Sequence, residues 1–369
     1  MQSKQKVIFS RKDSQEFFKI LNKRVNNYFK KNQLLKTGNW KIYLKSIIMF
    51  SLWIVPYILI FSIEANQWFK LLLCICTGIG MAGVGMNIMH DGNHGSFSKF
   101  SFINKIMGGT IYFLAGNVFN WKIKHNYLHH SFTNIHGHDK DLEAGVILRF
   151  SKHAKWKPFH KFQHYYSLFL YGLLTIKWAV FSDFLEMSNF LKRKLSYKNS
   201  KGPFLQWAGL IITKTIYFSI WLIIPLLVLK ISWWKVLIGF FIMHYTAGII
   251  LSLIFQLAHV IEKADMPIPK NEDSSINNSW VIHQLHTTVN FSTKNKFISW
   301  FTGGLNHQIE HHIFPNISHV HYEKISKIVK RTTKEFKLPY KEYASIKDAV
   351  FSHFKFLKQM GINPRYKIT

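Results

Sequence analysis

The chain has 369 residues, 48% of them hydrophobic, with 48 Lys and Arg against 18 Asp and Glu and a formal net charge of +30. The hydrophobic residues form long uncharged blocks flanked by lysines, which fits a membrane protein better than a soluble nucleic-acid binder, and no nucleic-acid motif occurs. The two cysteines, Cys74 and Cys76, share one apolar block and make neither a disulfide framework nor a metal finger; they read as lipid- or core-facing side chains.

Residues 1–45 are polar and basic, and no short apolar region follows the start, so no signal peptide is expected. Ser46 to Ile63 and Leu71 to Met89 are uncharged and long enough to cross a bilayer. The gap of Asn66, Gln67, Trp68 and Phe69 suits a tight hairpin at the far interface. A lysine-rich N-terminus stays in the cytosol, which returns the chain to the cytosol near His90. Ile106 to Trp121 is short, and Tyr165 to Leu185 is interrupted by Lys177 and Asp183, so both read as interfacial or half-buried helices. A second hairpin runs from about Phe204 to Val260 around Lys230, Trp233, Trp234 and Lys235. Lys214, inside its first arm, is expected near the cytosolic end with its ammonium reaching for water. With four spans, residues 90–203 and 261–369 face the cytosol. From Tyr322 to Thr369, Ile325, Ile328, Val329, then Phe351, Phe354 and Leu357 recur at helical spacing, as in cytosolic helices packed under a membrane domain. The expected organisation is a basic cytosolic segment (1–45), a membrane domain (46–321) and C-terminal cytosolic helices (322–369). The fold class is an all-α integral membrane protein with four transmembrane helices in two hairpins, interfacial helices and a helical cytosolic cap.

The placement of the 20 histidines carries the chemistry. His90 and His94 lie in HDGNH, directly after the second span. His125, His129 and His130 lie in HNYLHH. His307, Gln308, His311 and His312 lie in HQIEHH, and His259 ends the fourth span in FQLAHV. Histidines four apart on a helix share a face. The trio at 125, 129 and 130 can serve two neighbouring metals, and Gln308, His311 and His312 repeat an i, i+3, i+4 pattern. Neutral imidazoles suit iron, copper, zinc or nickel. Asp91 and Glu310 are candidates to orient ring nitrogens, as is Gln308 by its position. The pair His160 and His164, among Lys155, Lys157 and Lys161, reads as an ordinary surface helix face, because about one H-x-x-x-H pair is expected by chance. His136, His138, His153, His244, His283, His286, His319, His321 and His353 carry no assigned role. A His followed four and five places on by a double His is expected well below once, so two double-histidine boxes point to metal. The sequence contains no Glu-x-x-His, the carboxylate pattern of soluble di-iron bundles, so a two-iron site here has to be built from histidine.

In this order and between two hairpins, the boxes resemble those of the membrane fatty acid desaturases. HDGNH looks like the first box, WKIKHNYLHH followed by SFTNIHGHDKDLE like the second, and HQIEHHIFPNISHVHY like the third. Glutamine opening the third box, with FQLAHV and WVIHQLHTTVNF, is typical of the front-end branch, whose members desaturate between an existing double bond and the carboxyl end. The resemblance implies four membrane helices with a cytosolic cap and two irons held by His90, His94, His125, His129, His130, His311 and His312, with His259 at the position of the family's extra ligand. Gln308 stands where many relatives have a ligand histidine, leaving open whether it contacts metal through a water or His307 compensates. It also implies molecular oxygen as co-substrate and a cis double bond as product, in an acyl lipid or acyl thioester. No haem-binding cytochrome domain with a His-Pro-Gly-Gly signature is present, so electrons are expected from an external carrier such as an acidic ferredoxin. A fatty-acyl or lipid hydroxylase on the same scaffold is the nearest alternative. A membrane metal transporter is more distant, because the histidines sit at span ends, and a zinc hydrolase would use three or four ligands rather than eight.

Overall fold

The computed structural model describes residues 7–10, 15–143, 145–197, 200–269 and 275–364. Parts of the N-terminal segment (1–6, 11–14) and the end of the C-terminal segment (365–369) lie outside the described residues. Four helices are long and apolar enough to cross a membrane: Trp40–Ser62, Gln67–His94, Pro203–Val228 and Trp233–His259. The chain divides into two compact units. One comprises residues 37–123 and 168–253; the other comprises 1–36, 124–167 and 254–369.

The first of these carries the spans. Each expected span is present, extended by several residues where polar groups satisfy the helix ends. Asn39 caps the first span by accepting from Lys41 N–H, and Asn66 caps the second by accepting from Phe69 N–H. In the best apolar window of the second span 67% of residues are buried, against 22–33% for the other three, so it is the central helix. A side chain at Gly80 would overlap the Leu52–Trp53 backbone; glycine lets the first two spans touch. Ile47, Ile54 and Ile58 on the first span and Ile211, Ile212 and Leu227 on the third stay exposed, as lipid-facing positions do.

The Ile106–Trp121 block does not cross. It breaks into a helix Ser101–Gly109, a 3-10 turn Thr110–Leu114, a left-handed Ala115 (φ +69°) and a short helix Val118–Trp121. The Tyr165–Leu185 block is also broken: Pro158–Gly172 and Leu174–Lys192 meet at 62°. Lys214 departs from expectation. Its ammonium does not reach for water but is buried, 2.7 Å from Asp183 Oδ2, and donates to the carbonyls of Ala115 (2.6 Å) and Trp178 (2.8 Å). The carbonyls it meets are left by the break at Ala115 and the π-turn at Trp178–Ser182, so the lysine completes two interrupted backbones.

The other unit is a helical assembly with two short parallel strand pairs, Ile8–Phe9 with Ser275–Ile276 and Asn290–Phe291 with Glu342–Tyr343. Its core joins Phe17, Leu21, Val25 and Phe29 of helix Gln15–Lys31 to Leu285, Ile309, Ile325 and Val329. The C-terminal helices are Tyr322–Glu335 and Ile346–Gly361. The second buries Ala349, His353, Phe356 and Leu357; Phe351, expected on the apolar face, is 71% exposed. His160 is not a surface residue either. It is buried, accepting from Lys157 N–H with Nδ1 and donating from Nε2 to Val146 O.

Candidate metal centre

Six of the eight histidines singled out by sequence belong to this second unit. His125 and His129 sit on a π-helical stretch, Lys122–His129, and His130 opens the α-turn His130–Phe132. A π-turn carries one extra residue per turn and is frequent at functional sites. The three rings gather with centroids 4.9–5.6 Å apart. Helix Gln308–Ile313 brings His311 and His312, and the last residue of the fourth span brings His259. Ligand-capable atoms lie within 4.8 Å of one another in two imidazole groups, His129–His259–His312 and His130–His311–His312, which share His312. A third group joins His125, His129 and Asp141.

The other ring nitrogens are held from outside. His129 Nδ1 is 2.9 Å from Asp139 Oδ2, His125 Nδ1 is 2.7 Å from Asp141 Oδ2, and His312 Nδ1 is 2.9 Å from Gln284 Oε1. These partners are acceptors, so each Nδ1 carries the proton and Nε2 presents its lone pair. His311 Nδ1 lies 3.2 Å from the Tyr322 hydroxyl. His259 is fully buried; Nδ1 faces Thr287 O at 3.4 Å, and Nε2 has no hydrogen-bond partner among the described residues. A buried lone pair without a donor costs stability unless a ligand takes it, and a metal does so.

The supports are tied to one another. Asn134 takes the left-handed conformation (φ +60°), where asparagine is tolerated. Its amide donates to His259 O, Asp265 O and Thr287 O, and its backbone N–H to Asp139. Gln284 accepts from Thr133 Oγ1 and donates to His130 O, and Trp280 Nε1 donates to the same carbonyl. Burial pushes the Asp139 carboxyl up and the nearby Asp141 charge adds to this, while the N–H groups of Asn134 and Asp141, both donating to it, favour its charged form. Burial also pushes Asp141 up, but the hydrogen bond and charge of His125, with Lys124, overcome this and hold it well below the ordinary range.

Glu310 and Gln308 are both buried. Glu310 accepts from Asn290 Nδ2 (2.8 Å) and the Tyr340 hydroxyl (3.1 Å); its nearest ring nitrogen is His307 Nδ1 at 3.8 Å. It therefore braces the third box through the loop that precedes it. His307 falls outside the close imidazole groups found among the described residues. In the span-bearing unit, His90 and His94 form one helical turn after a π-turn at Gly85–Met89, with rings 4.6 Å apart and the Trp121 ring edge-on to both. Asp91 is buried, 3.9 Å from His90 Nδ1. Sequence reading passed over Asp139, Asp141, Gln284 and Tyr322. The two aspartates had a signal, standing in HDKD directly after a double-histidine box, where carboxylates commonly orient ligand imidazoles.

Four apolar spans and a buried imidazole cluster braced by carboxylates and amides define a membrane protein built to hold metal. The fatty acid desaturase family model matches residues 66–344. Similar proteins include the sn-1 linoleoyl-lipid 6-desaturase of Arthrospira platensis, 36% identical with 95% of this chain and 94% of the relative covered. The enzyme of that name from Synechocystis sp. (strain ATCC 27184 / PCC 6803 / Kazusa) is also 36% identical, covering 94% and 95%. The acyl-lipid (8-3)-desaturase of Physcomitrium patens is 32% identical, covering 95% of this chain and 72% of the relative. The chain belongs to the fatty acid desaturase family, in its front-end branch, and is an integral membrane oxidoreductase.

Proposed function

We propose that the protein introduces a cis double bond at carbon 6 of a linoleoyl chain esterified in a membrane glycerolipid, using two irons bound by histidine. The observation that carries the reading is the pair of imidazole groups sharing His312, in a chain 36% identical over nearly its whole length to two 6-desaturases. The ligands are His125, His129, His130, His259, His311 and His312, joined by His90 and His94 of the first box. When bound, the irons supply, with molecular oxygen and electrons from an external carrier, the oxidising power that removes two hydrogens from neighbouring methylenes.

The chain's own residues do the rest. Asp141, Asp139 and Gln284 hold the Nδ1 protons of His125, His129 and His312 and so fix which nitrogen faces the metal. Burial of the six rings excludes bulk water, which protects a strong oxidant from side reactions. Gln308, buried at the head of the third box, acts through a water rather than as a direct ligand. The lysine-rich N-terminus supports a cytosolic placement of both termini and the boxes, and the net charge supports an acidic electron donor such as a ferredoxin.

The test is a fatty-acid methyl ester profile of a host expressing the chain and fed linoleate, beside the His129→Ala, His130→Ala variant. A new cis double bond at carbon 6, absent from the variant, is the expected result. An oxygenated product would replace desaturation by hydroxylation, and a bond placed elsewhere would overturn the regiochemistry.

A further inference from the structure

A cavity of about 770 Å³ opens within the span-bearing unit at the loop ends of both hairpins, where the second and fourth spans begin, rather than where they end in His94 and His259. Lys70 and Lys235 line it beside Trp68 (72% exposed) and Trp234, and no acidic residue is among the lining. The first turns of two long helices, Gln67–His94 and Trp233–His259, form part of the lining and bring the positive ends of their dipoles to it. Deeper in, the lining is mostly apolar: the hydroxyls of Tyr57 and Thr77 are used by the Ile220 and Leu73 carbonyls, and Trp221 forms part of the wall. That side chain is 6% exposed and packs its ring against those of Trp53 and Tyr57, 5.6 and 4.6 Å away.

We propose that this cavity binds one anionic glycerophospholipid as a resident lipid, distinct from the acyl substrate. Its phosphate sits between Lys70 and Lys235, and an acyl chain fills the apolar depth against Trp221. Cations at a membrane interface select anionic headgroups, a neutral lipid gains nothing from them, and a free phosphate leaves the apolar part empty. Covering this wall would brace the two hairpins at their loop ends.

The test uses the full-length protein in detergent, delipidated and titrated with phosphatidylglycerol or phosphatidylcholine of matched chains. Native mass spectrometry reads the retained lipid. The expected result is one phosphatidylglycerol per chain, retained with roughly tenfold preference, a size two lysines beside one phosphate can supply. Lys70→Ala with Lys235→Ala abolishes the preference without changing acyl desaturation. Cys74→Phe, on the cavity wall, reduces retention of both lipids. In the unsubstituted protein, phosphatidylglycerol with brominated chains quenches tryptophan fluorescence at one saturable site, and Trp221→Phe removes that component. Equal retention of the two lipids, or a preference unaltered by the lysine variant, overturns the proposal. So does recovery of the retained lipid as desaturated product, which would make the cavity part of the substrate path.

Discussion

At the scale of single residues, the site depends on side chains that never need to touch a metal. Asp139 and Asp141 stand ten and sixteen residues beyond the imidazoles they hold, and each fixes one ring by its Nδ1 proton. Asp139→Asn keeps the shape but loses the carboxylate. Partners of this kind typically cost about 10–100-fold in metal affinity or activity when changed. The expected outcome is an enzyme purified with substoichiometric iron, measured by plasma emission, with the spans intact by circular dichroism. Full iron occupancy at unchanged activity would mean that Asp139 only shapes its loop. The clustered histidines were legible because their spacing is rare. Their supports were not, because no motif encodes them: Gln284 lies 28 residues from His312 and 154 from the His130 carbonyl it holds, and Tyr322 lies 11 residues from His311. The same limit explains His160, which its lysine neighbours made look exposed although its two ring nitrogens close a loop inside the fold.

At the scale of elements, hydropathy located every span because lipid demands an uninterrupted apolar stretch. It could not say what happens to a charge inside one. Lys214, expected on the water side, pairs with Asp183 and caps two broken backbones. Removing one member of a buried pair strands the other, at a cost of about 3–5 kcal/mol. Lys214→Met should therefore lower the thermal midpoint in detergent markedly, and Asp183→Leu added to it should restore much of the loss. If the single variant is as stable as the parent, the pair is not the clamp it resembles. The N-terminal helix makes the complementary case. Its buried positions Phe17, Leu21, Val25 and Phe29 recur every four residues, a pattern present in the sequence but masked there by the abundance of lysine around it. Leu21 is fully buried, so Leu21→Ala should destabilise this unit by about 2–5 kcal/mol, read from chemical denaturation followed by fluorescence.

At the scale of the whole molecule, the excess of 48 basic over 18 acidic side chains is too large to be absorbed by internal pairs. Much of that charge can serve anionic lipid at the membrane surface. It can also steer an acidic electron carrier, and the two roles respond differently to salt. Steering acts over the Debye length, about 30 Å at 0.01 M salt and about 8 Å at 0.15 M. With a ferredoxin as donor, the KM for the carrier should rise steeply over that range while the maximal rate changes little, because electrostatics governs encounter more than the reaction that follows. A small uncharged reductant gives the control: its turnover should be flat in salt. Equal salt dependence with both donors would assign the effect to the lipid-facing lysines and the membrane itself, and would leave the carrier to be recognised by shape rather than by charge.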